Sequence, residues 1–280
     1  MDRHGSSAIL VRYPSDVALQ IERDLETRWW CELHGLRVPA LVDHPPGSDW
    51  AVLEDFGSDD ADIALKSAAD EDRLPMVMRL TEPIVRLGGI PPSVLPSWNP
   101  PLDDVRLRWE LAGFELWFLQ YRKNVAPADV ISRWLDDLAA DISHHPRRIC
   151  HRDYHLNNLF LLESGEVGVI DFQDILVGPD TYDVVSLLYE RSLPDLLETT
   201  DRKRIIEHWA HATSAADGWF DRAHKVRLQR AFKVLGSFAR FEASGAKSYV
   251  PWMNALAREI APELEAAGAP NDLTDLLLDC

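Results

Sequence analysis

The sequence contains little cysteine and no long apolar run. Its three cysteines, Cys31, Cys150 and Cys280, are too few and too scattered for a disulfide framework or a zinc site, so we interpret them as reduced thiols of a cytoplasmic protein. No apolar run reaches the roughly 18 residues that a membrane helix needs. The first residues also lack the apolar core of a secretory signal. We therefore expect neither a membrane-spanning segment nor secretion.

The sequence is also poor in basic residues. Asp and Glu number 46 against 29 Lys and Arg, which gives a formal net charge of −17. Nucleic acids and anionic membranes require a basic surface, and the short basic clusters at 145–148 and 202–204 lie beside acidic residues. We expect neither partner. A nucleotide remains compatible with this charge, because Mg²⁺ and a few basic groups can neutralise its phosphates locally.

The first 57 residues predict a small sheet with one helix. Strands are expected over 8–12, 38–42 and 50–53, and a helix over 17–33, capped by Asp16 and ended by Gly35. The acidic stretch 58–62 is typical of a linker or a helix cap. The full chain, with 280 residues of which 46% are hydrophobic, is long enough for one large domain or two modest ones.

The remainder is mostly helical in its apolar spacing. It predicts a loop over 91–101 and helices over 71–87 (kinked at Pro83), 105–122, 130–142, 205–212 and 225–243. One segment is different, because two short β-type runs, Leu159–Leu162 and Val167–Ile170, flank a four-residue turn. The sequence therefore predicts an isolated hairpin within a helical region.

Polar residues flank this hairpin at both ends. His151-Arg-Asp-Tyr-His-Leu-Asn-Asn158 precedes it, and Asp171-Phe-Gln-Asp174 follows it. The order H-x-D-x-x-x-x-N, hairpin, Asp is typical of phosphoryl transfer, which needs a carboxylate beside the attacking hydroxyl and oxygen ligands for Mg²⁺. We therefore predict Asp153 as the base that orients the hydroxyl, and Asn158 and Asp171 as Mg²⁺ ligands. His151 is expected to brace the loop through backbone hydrogen bonds.

A metal-dependent hydrolase is an alternative interpretation of the same segment. His151, Asp153 and His155 alternate along the chain and would share one face of a strand, with His144 and His145 nearby in sequence. This interpretation leaves Asn158, the hairpin and the following aspartate without a role, so we favour phosphoryl transfer.

Three blocks of sequence resemble the aminoglycoside phosphotransferase and choline kinase superfamily. More narrowly, they are similar to the bacterial anomeric kinases for N-acetylmuramate and N-acetylglucosamine, which return cell-wall sugars to precursor synthesis. The blocks are His151–Leu159, then Gly168–Asp174 continuing to Leu188, and Gln229–Arg240; Glu110, Phe114 and Trp117–Leu119 are a weaker fourth match. Together they run from about residue 105 to 245.

The resemblance implies an α+β, protein-kinase-like fold with a β-rich N-lobe, a hinge and a mainly helical C-lobe. It implies ATP and Mg²⁺ as cofactors and a small-molecule sugar as acceptor, phosphorylated on its anomeric hydroxyl. Arg12 would replace the usual strand lysine, with Glu22 or Glu26 of the following helix as its expected partner. The expected residues are Arg12, Glu54, Asp55 and Phe56 for the nucleotide, Glu110, Gln173, Asp174, Lys233 and Arg240 for the acceptor, and His151 and Asp183 for structure.

The sequence departs from the family at its start. About seven residues precede the first strand, where the family has two further strands around a phosphate-covering loop. We therefore expect a truncated N-lobe over 1–57 and a C-lobe over 58–280. Two alternatives stay open: a kinase for an aminoglycoside, choline or another small alcohol, and a nucleotide- or sugar-binding protein with little or no catalysis.

Overall fold

The computed structural model describes residues 7–13, 18–190 and 192–279. Asp16, the predicted helix cap, and Cys280 lie outside the described residues. Contacts divide the chain into two compact units: residues up to Pro101 with Arg147–Ala216, and Leu102–Pro146 with the residues from Asp217 onward. The predicted lobes, 1–57 and 58–280, follow the family resemblance and stay a prediction.

The first unit begins with an antiparallel sheet and one helix. Strands β1 (Ala8–Arg12), β2 (Leu41–Asp43) and β3 (Trp50–Glu54) pair in the order β1-β3-β2, and helix α1 (Ala18–Leu33) connects β1 to β2. The predicted strand over 38–42 is wrong in its position. Pro39 has no N–H to donate, and Arg37 pairs instead with Gly168 of the later hairpin, so β2 begins only at Leu41.

Short helices follow the sheet. Helix α2 (Ala61–Ser67) begins at Asp60, whose carboxylate accepts a hydrogen bond from the Ile63 N–H, and the predicted cap is thus confirmed. The predicted helix over 71–87 is divided into α3 (Asp70–Leu80) and α4 (Glu82–Gly88). Pro83 lies in the first turn of α4, where its missing N–H costs no helical hydrogen bond.

The rest of the first unit contains two strand pairs and three helices. The predicted hairpin is confirmed as β5 (Leu159–Leu161) and β6 (Val167–Val169). Strands β4 (Arg147–Cys150) and β7 (Leu176–Pro179) enclose it in sequence and pair with each other; neither was predicted, since both are short and contain Arg, Gly or Pro. Helices α7 (Tyr182–Tyr189), α8 (Leu193–Leu196) and α9 (Thr199–Ala212) follow.

A buried cluster joins the sheet-side helix α1 to the segment after the hairpin. It includes Trp30, Cys31, Leu36, Val38, Leu87, Ile149, Phe172 and Ile175. Each aliphatic or Phe side chain in this cluster contributes about 1.5–3 kcal/mol when it is fully buried. Cys31 and Cys150 are free, buried thiols, and burial raises the pKa of Cys31 to about 12. The core therefore holds α1 against the region that contains the predicted metal ligands.

The second unit is helical. It contains α5 (Asp104–Gly113), a π-helix (Phe114–Arg122), α6 (Asp129–Ser143), α10 (Trp219–Ala243), α11 (Val250–Leu264) and α12 (Asn271–Leu278). The predicted helix over 105–122 changes its winding after Gly113. Gly236 of α10 lies so close there that a Cβ atom on it would be 2.6 Å from the Phe114 nitrogen. Among the described residues, no helix is both long and apolar enough to span a bilayer.

Candidate active site

The loop that precedes the hairpin is held by one buried carboxylate. Asp183, in the first turn of α7, accepts hydrogen bonds from the backbone N–H groups of His151 (2.7 Å) and Arg152 (2.9 Å). Arg152 has a positive φ of 82°, a conformation that costs a non-glycine residue free energy and persists only where the surroundings impose it. In this conformation the Arg152 N–H donates to the Asp183 carboxylate, and that hydrogen bond stabilises it.

The His151 ring connects this loop to the far end of the hairpin. Its Nε2 lies 3.0 Å from the backbone carbonyl oxygen of Ile170, the residue before Asp171. The ring is buried and packs edge-on against Tyr154, whose hydroxyl donates to the Leu80 carbonyl at 2.7 Å. The hydrogen bond to Ile170 is the kind of loop bracing that the sequence predicts for His151.

Asn158 lies at the centre of the predicted site. Its side-chain Nδ2 donates to the backbone carbonyl of Asp153 at 2.8 Å. Its own backbone carbonyl accepts from the Ile170 N–H at 3.0 Å, which continues the β5–β6 ladder by one residue. The structure therefore brings Asp153 and Asn158 into one hydrogen-bonded loop and places Asn158 opposite the residue that precedes Asp171.

Asp171 is exposed and has a left-handed backbone, with φ 61° and ψ 35°. Left-handed conformations are unfavourable for most non-glycine residues and cluster at functional sites. Gln173 Nε2 donates to one of its carboxylate oxygens at 2.5 Å. Asn99 steadies the same segment, because its Nδ2 donates to the backbone carbonyls of Gln173 and Ile175 at 2.9 and 3.0 Å.

The oxygens of Asn158 and Asp171 suit Mg²⁺. The Asn158 amide nitrogen is used by the Asp153 carbonyl, so its oxygen is the group left for a ligand role, and Asp171 supplies an exposed carboxylate. Mg²⁺ usually takes only one or two carboxylates from a protein and completes its shell with phosphate oxygens and water. The donor set therefore fits a nucleotide-bound Mg²⁺.

The described residues do not contain the metal-binding cluster that a hydrolase would need. No group of three or more His, Cys, Asp or Glu side chains that could hold a metal occurs in the described residues. His144 Nδ1 lies 2.7 Å from the Ala140 carbonyl, and His145 lies 3.6 Å from Asp141. These contacts belong to the end of α6, and His151 is engaged with Ile170.

The predicted nucleotide segment, Glu54–Phe56, is held by an arginine that sequence reasoning missed. Arg37 donates to both Glu54 carboxylate oxygens, at 2.5 and 2.7 Å, and the Ala40 N–H adds a third hydrogen bond. The Arg37 guanidinium keeps the pKa of the Glu54 carboxyl below its usual value. The Asp55 carboxylate accepts from the Gly57 N–H, the main cause of its lowered pKa.

Arg12 is placed differently from the expectation. Its Nε lies 3.2 Å from Asp49 in an exposed pair, with side chains 80% and 47% exposed, whereas Glu26 accepts a hydrogen bond from the indole of Trp98. Arg12 therefore pairs with Asp49 and not with Glu22 or Glu26, the expected partners. Surface pairs of this kind contribute little stability, about 0–1 kcal/mol.

Asp174 lies between two guanidinium groups. Arg23 of α1 and Arg152 of the loop each have a nitrogen 3.8 Å from an Asp174 carboxylate oxygen. Asp24, also on α1, has a raised pKa, chiefly because it is partly buried. The predicted acceptor residues Gln173 and Asp174 thus have partners within their own unit, and an acceptor role for them stays a prediction.

In the second unit, two predicted acceptor residues meet. Lys233 Nζ of α10 lies 3.3 Å from Glu110 of α5, and Gln229 Nε2 donates to the other Glu110 oxygen at 2.9 Å. The Glu110 side chain is only 4% exposed. Arg240 lies two turns further along α10; it is exposed, and its guanidinium is 5.5 Å from the Phe241 ring centre.

Comparison with known proteins identifies related sequences. The family model described as the phosphotransferase enzyme family matches residues 2–223. An N-acetylmuramate/N-acetylglucosamine kinase of Pseudomonas aeruginosa is 31% identical over 74% of the chain, and one of Neisseria meningitidis serogroup B is 26% identical over 88%. The chain spans 62% of the length of the first relative and 75% of the second.

A solved structure shows the same fold. An aminoglycoside phosphotransferase of Streptomyces rimosus, in complex with ADP and streptomycin, aligns with a TM-score of 0.58 and 17% identity. The alignment covers 82% of this chain and 88% of that one. The predicted α+β, kinase-like fold class is thus confirmed.

Proposed function

Because the chain belongs to the phosphotransferase enzyme family, we propose that it transfers the γ-phosphoryl group of ATP to a hydroxyl of a small molecule. The observation that supports this most directly is the hydrogen-bonded loop of Asp153 and Asn158, set opposite the residue before Asp171. Phosphoryl transfer needs a carboxylate at the acceptor and metal ligands at the nucleotide, held in fixed relation.

Each residue of the loop has a proposed task. Asp153 orients the acceptor hydroxyl and takes its proton as the bond to phosphorus forms. Asn158 and Asp171 are proposed to hold Mg²⁺, which when bound neutralises charge on the phosphate oxygens. His151 and Asp183 position the loop through the hydrogen bonds to Ile170 and to the loop amides.

For the acceptor, we propose an N-acetylated amino sugar, phosphorylated at its anomeric hydroxyl. Both curated relatives described above carry the name N-acetylmuramate/N-acetylglucosamine kinase. An anomeric hydroxyl is more acidic than an ordinary alcohol, so Asp153 needs mainly to orient it. Gln173 and Asp174 are the proposed acceptor contacts in the unit that contains Asp153. Acceptor roles for Glu110, Lys233 and Arg240 stay predictions from the family resemblance. A cytoplasmic location, where ATP is available and thiols stay reduced, belongs to the same proposal.

The test is a panel of acceptors with Mg²⁺ and ATP. We expect phosphate transfer to N-acetylglucosamine and N-acetylmuramate, with ³¹P NMR showing an anomeric phosphate. Methyl N-acetylglucosaminide is the matched control, because its anomeric oxygen carries no proton. Transfer only to choline or an aminoglycoside would contradict the acceptor proposed. Nucleotide binding without transfer to any acceptor would favour the non-catalytic alternative.

A further inference from the structure

Arg37 occupies a junction between three segments of the first unit. It follows α1, and its side chain reaches the end of β3, where its two terminal nitrogens bind the two oxygens of Glu54. Both side chains are about one-third exposed, 29% for Arg37 and 33% for Glu54. A planar guanidinium matches a carboxylate with two parallel hydrogen bonds, which a lysine cannot do.

The Arg37 backbone joins the hairpin. Its carbonyl accepts a 2.8 Å hydrogen bond from the Val169 N–H, and Arg37 forms a parallel bridge with Gly168. Its Nε also lies 3.9 Å from the carboxylate of Glu166, the residue before β6. One residue therefore binds the end of β3 through its side chain and the hairpin through its main chain.

Phe56 completes this junction. The Arg37 guanidinium lies over its ring, 4.9 Å from the ring centre, and Phe160 of β5 packs on it at 5.6 Å. Gly168 lies against the ring so closely that a Cβ atom would be 2.7 Å from a ring carbon. The Phe56 ring thus has no room to shift toward β6.

The hairpin connects this junction to the predicted metal ligands. Val169 is two residues before Asp171, and it pairs with Leu159, the residue after Asn158. A shift of β6 relative to β3 would therefore move Asn158 and Asp171 relative to the Glu54–Phe56 segment. The covalent path from Phe56 to Asn158 is about one hundred residues long, so only contacts such as these set the separation.

We propose that Arg37 is a positioning residue that couples the nucleotide-binding segment Glu54–Phe56 to the hairpin bearing the Mg²⁺ ligands. This rests on the proposed function, because it takes the two segments as the nucleotide and metal parts of one site. Without the Arg37 side chain both parts remain and the Phe56–Phe160 contact persists, but the double hydrogen bond that fixes the end of β3 relative to the hairpin is lost. Mg·ATP then binds more weakly, and the bound phosphates are presented less accurately to the acceptor.

The experiment compares four variants by calorimetry with Mg·ATP and by steady-state kinetics. Arg37→Ala is expected to raise the Kd for Mg·ATP and to lower kcat, each by about tenfold, with the KM for the acceptor unchanged. Arg37→Lys retains the charge without the double hydrogen bond, so we expect it to restore little of the Mg·ATP affinity or of kcat. Gly168→Ala is expected to reproduce the defect while Arg37 is intact, because the added methyl displaces Phe56. Arg79→Ala is the matched control, since Arg79 donates to the same hairpin only at its turn, at the Gly165 carbonyl.

The outcomes separate coupling from simple stabilisation. A lower melting temperature with an unchanged Kd for Mg·ATP in the folded fraction, or full restoration by Arg37→Lys, would overturn the proposal. If the wild-type protein binds Mg·ATP but phosphorylates none of the acceptors, the proposed function fails and the calorimetric comparison still decides the role of Arg37. A wild-type protein that binds no nucleotide would overturn both.

Discussion

The side-chain amide of Asn158 donates a 2.8 Å hydrogen bond to the backbone carbonyl of Asp153. This contact closes the loop between β4 and β5, so that one short segment contains both the proposed base and a proposed metal ligand. It also fixes the orientation of the Asn158 amide, because the nitrogen faces the loop and the oxygen is left for another partner. An amide side chain such as that of asparagine can donate to the loop and offer a neutral oxygen to a cation at the same time.

Asp153→Asn is expected to remove most turnover and to leave nucleotide affinity nearly intact. The amide keeps the size of the side chain but cannot accept the acceptor proton, and general-base groups contribute about 10²–10⁴-fold. Initial rates at saturating acceptor, together with calorimetry for Mg·ATP, test this. Asp70→Asn, on an 89% exposed side chain of α3, is the control. A near wild-type rate would show that Asp153 is not the base.

Asp171→Ala is expected to abolish Mg²⁺-dependent nucleotide binding, and Asn158→Ala to weaken it, because the ion loses oxygen ligands. Asp171→Gly separates ligation from backbone strain. It also removes the ligand, but glycine tolerates the left-handed φ of 61°, so this variant should be more stable than Asp171→Ala by about 1 kcal/mol. Calorimetry and thermal unfolding measure the two effects. Unchanged Mg·ATP affinity in both alanine variants would contradict the metal assignment.

Glu110→Ala is expected to destabilise the protein by about 3 kcal/mol, because it leaves the ammonium group of Lys233 and the amide of Gln229 without this partner in a largely buried place. Replacing both charged residues, as Glu110→Gln together with Lys233→Met, should lower the free energy of unfolding less than Glu110→Ala alone. Urea unfolding tests the order of the two. If Glu110→Ala unfolds like the wild type, the pair is not structural.

Arg240→Ala is expected to lower kcat/KM for the sugar while barely changing the KM for ATP. The side chain is exposed, so its loss should leave the melting temperature unchanged. Arg133→Ala, an exposed arginine on α6, is the matched control. Equal losses for both substrates, or a lower melting temperature with normal kinetics, would argue against an acceptor contact.

Because of the Arg37–Glu54 pair, we expect the free energy of unfolding to fall as the pH is lowered in the acid range. Its guanidinium lowers the pKa of Glu54 below the usual 4.5. A carboxyl whose pKa is lower in the folded than in the unfolded state stabilises the fold at every pH above the unfolded-state pKa. This stabilisation is lost as the pH falls through the lowered, folded-state pKa. The difference in unfolding free energy between wild type and Glu54→Gln should therefore be largest at neutral pH and should shrink as the pH falls below 4.5 through the lowered pKa. A constant difference would contradict the pairing.

Local patterns were sufficient for much of the fold. The sheet strand over 8–12, the cap at Asp60, the break near Pro83 and the hairpin over 159–170 all follow from signals within a few residues. The predicted strand at 38–42 failed because Arg37 pairs with Gly168, about 130 positions away. The strands β4 and β7 were missed for the same reason, since each is stabilised by the other across an intervening hairpin.

The same distinction applies to the candidate site. Asp153, Asn158 and Asp171 could be proposed from spacing alone, because they lie within one continuous segment of chain that includes the confirmed hairpin, and their roles stay a prediction. Arg37 and Asn99 could not, since a lone arginine after a helix and an asparagine in a proline-rich loop carry no periodic or spacing signal. The sequence by itself determined the order of the groups that we propose for phosphoryl transfer and the hairpin that separates them. Only the tertiary structure decided what holds them, because contacts between distant segments depend on packing that no local pattern encodes.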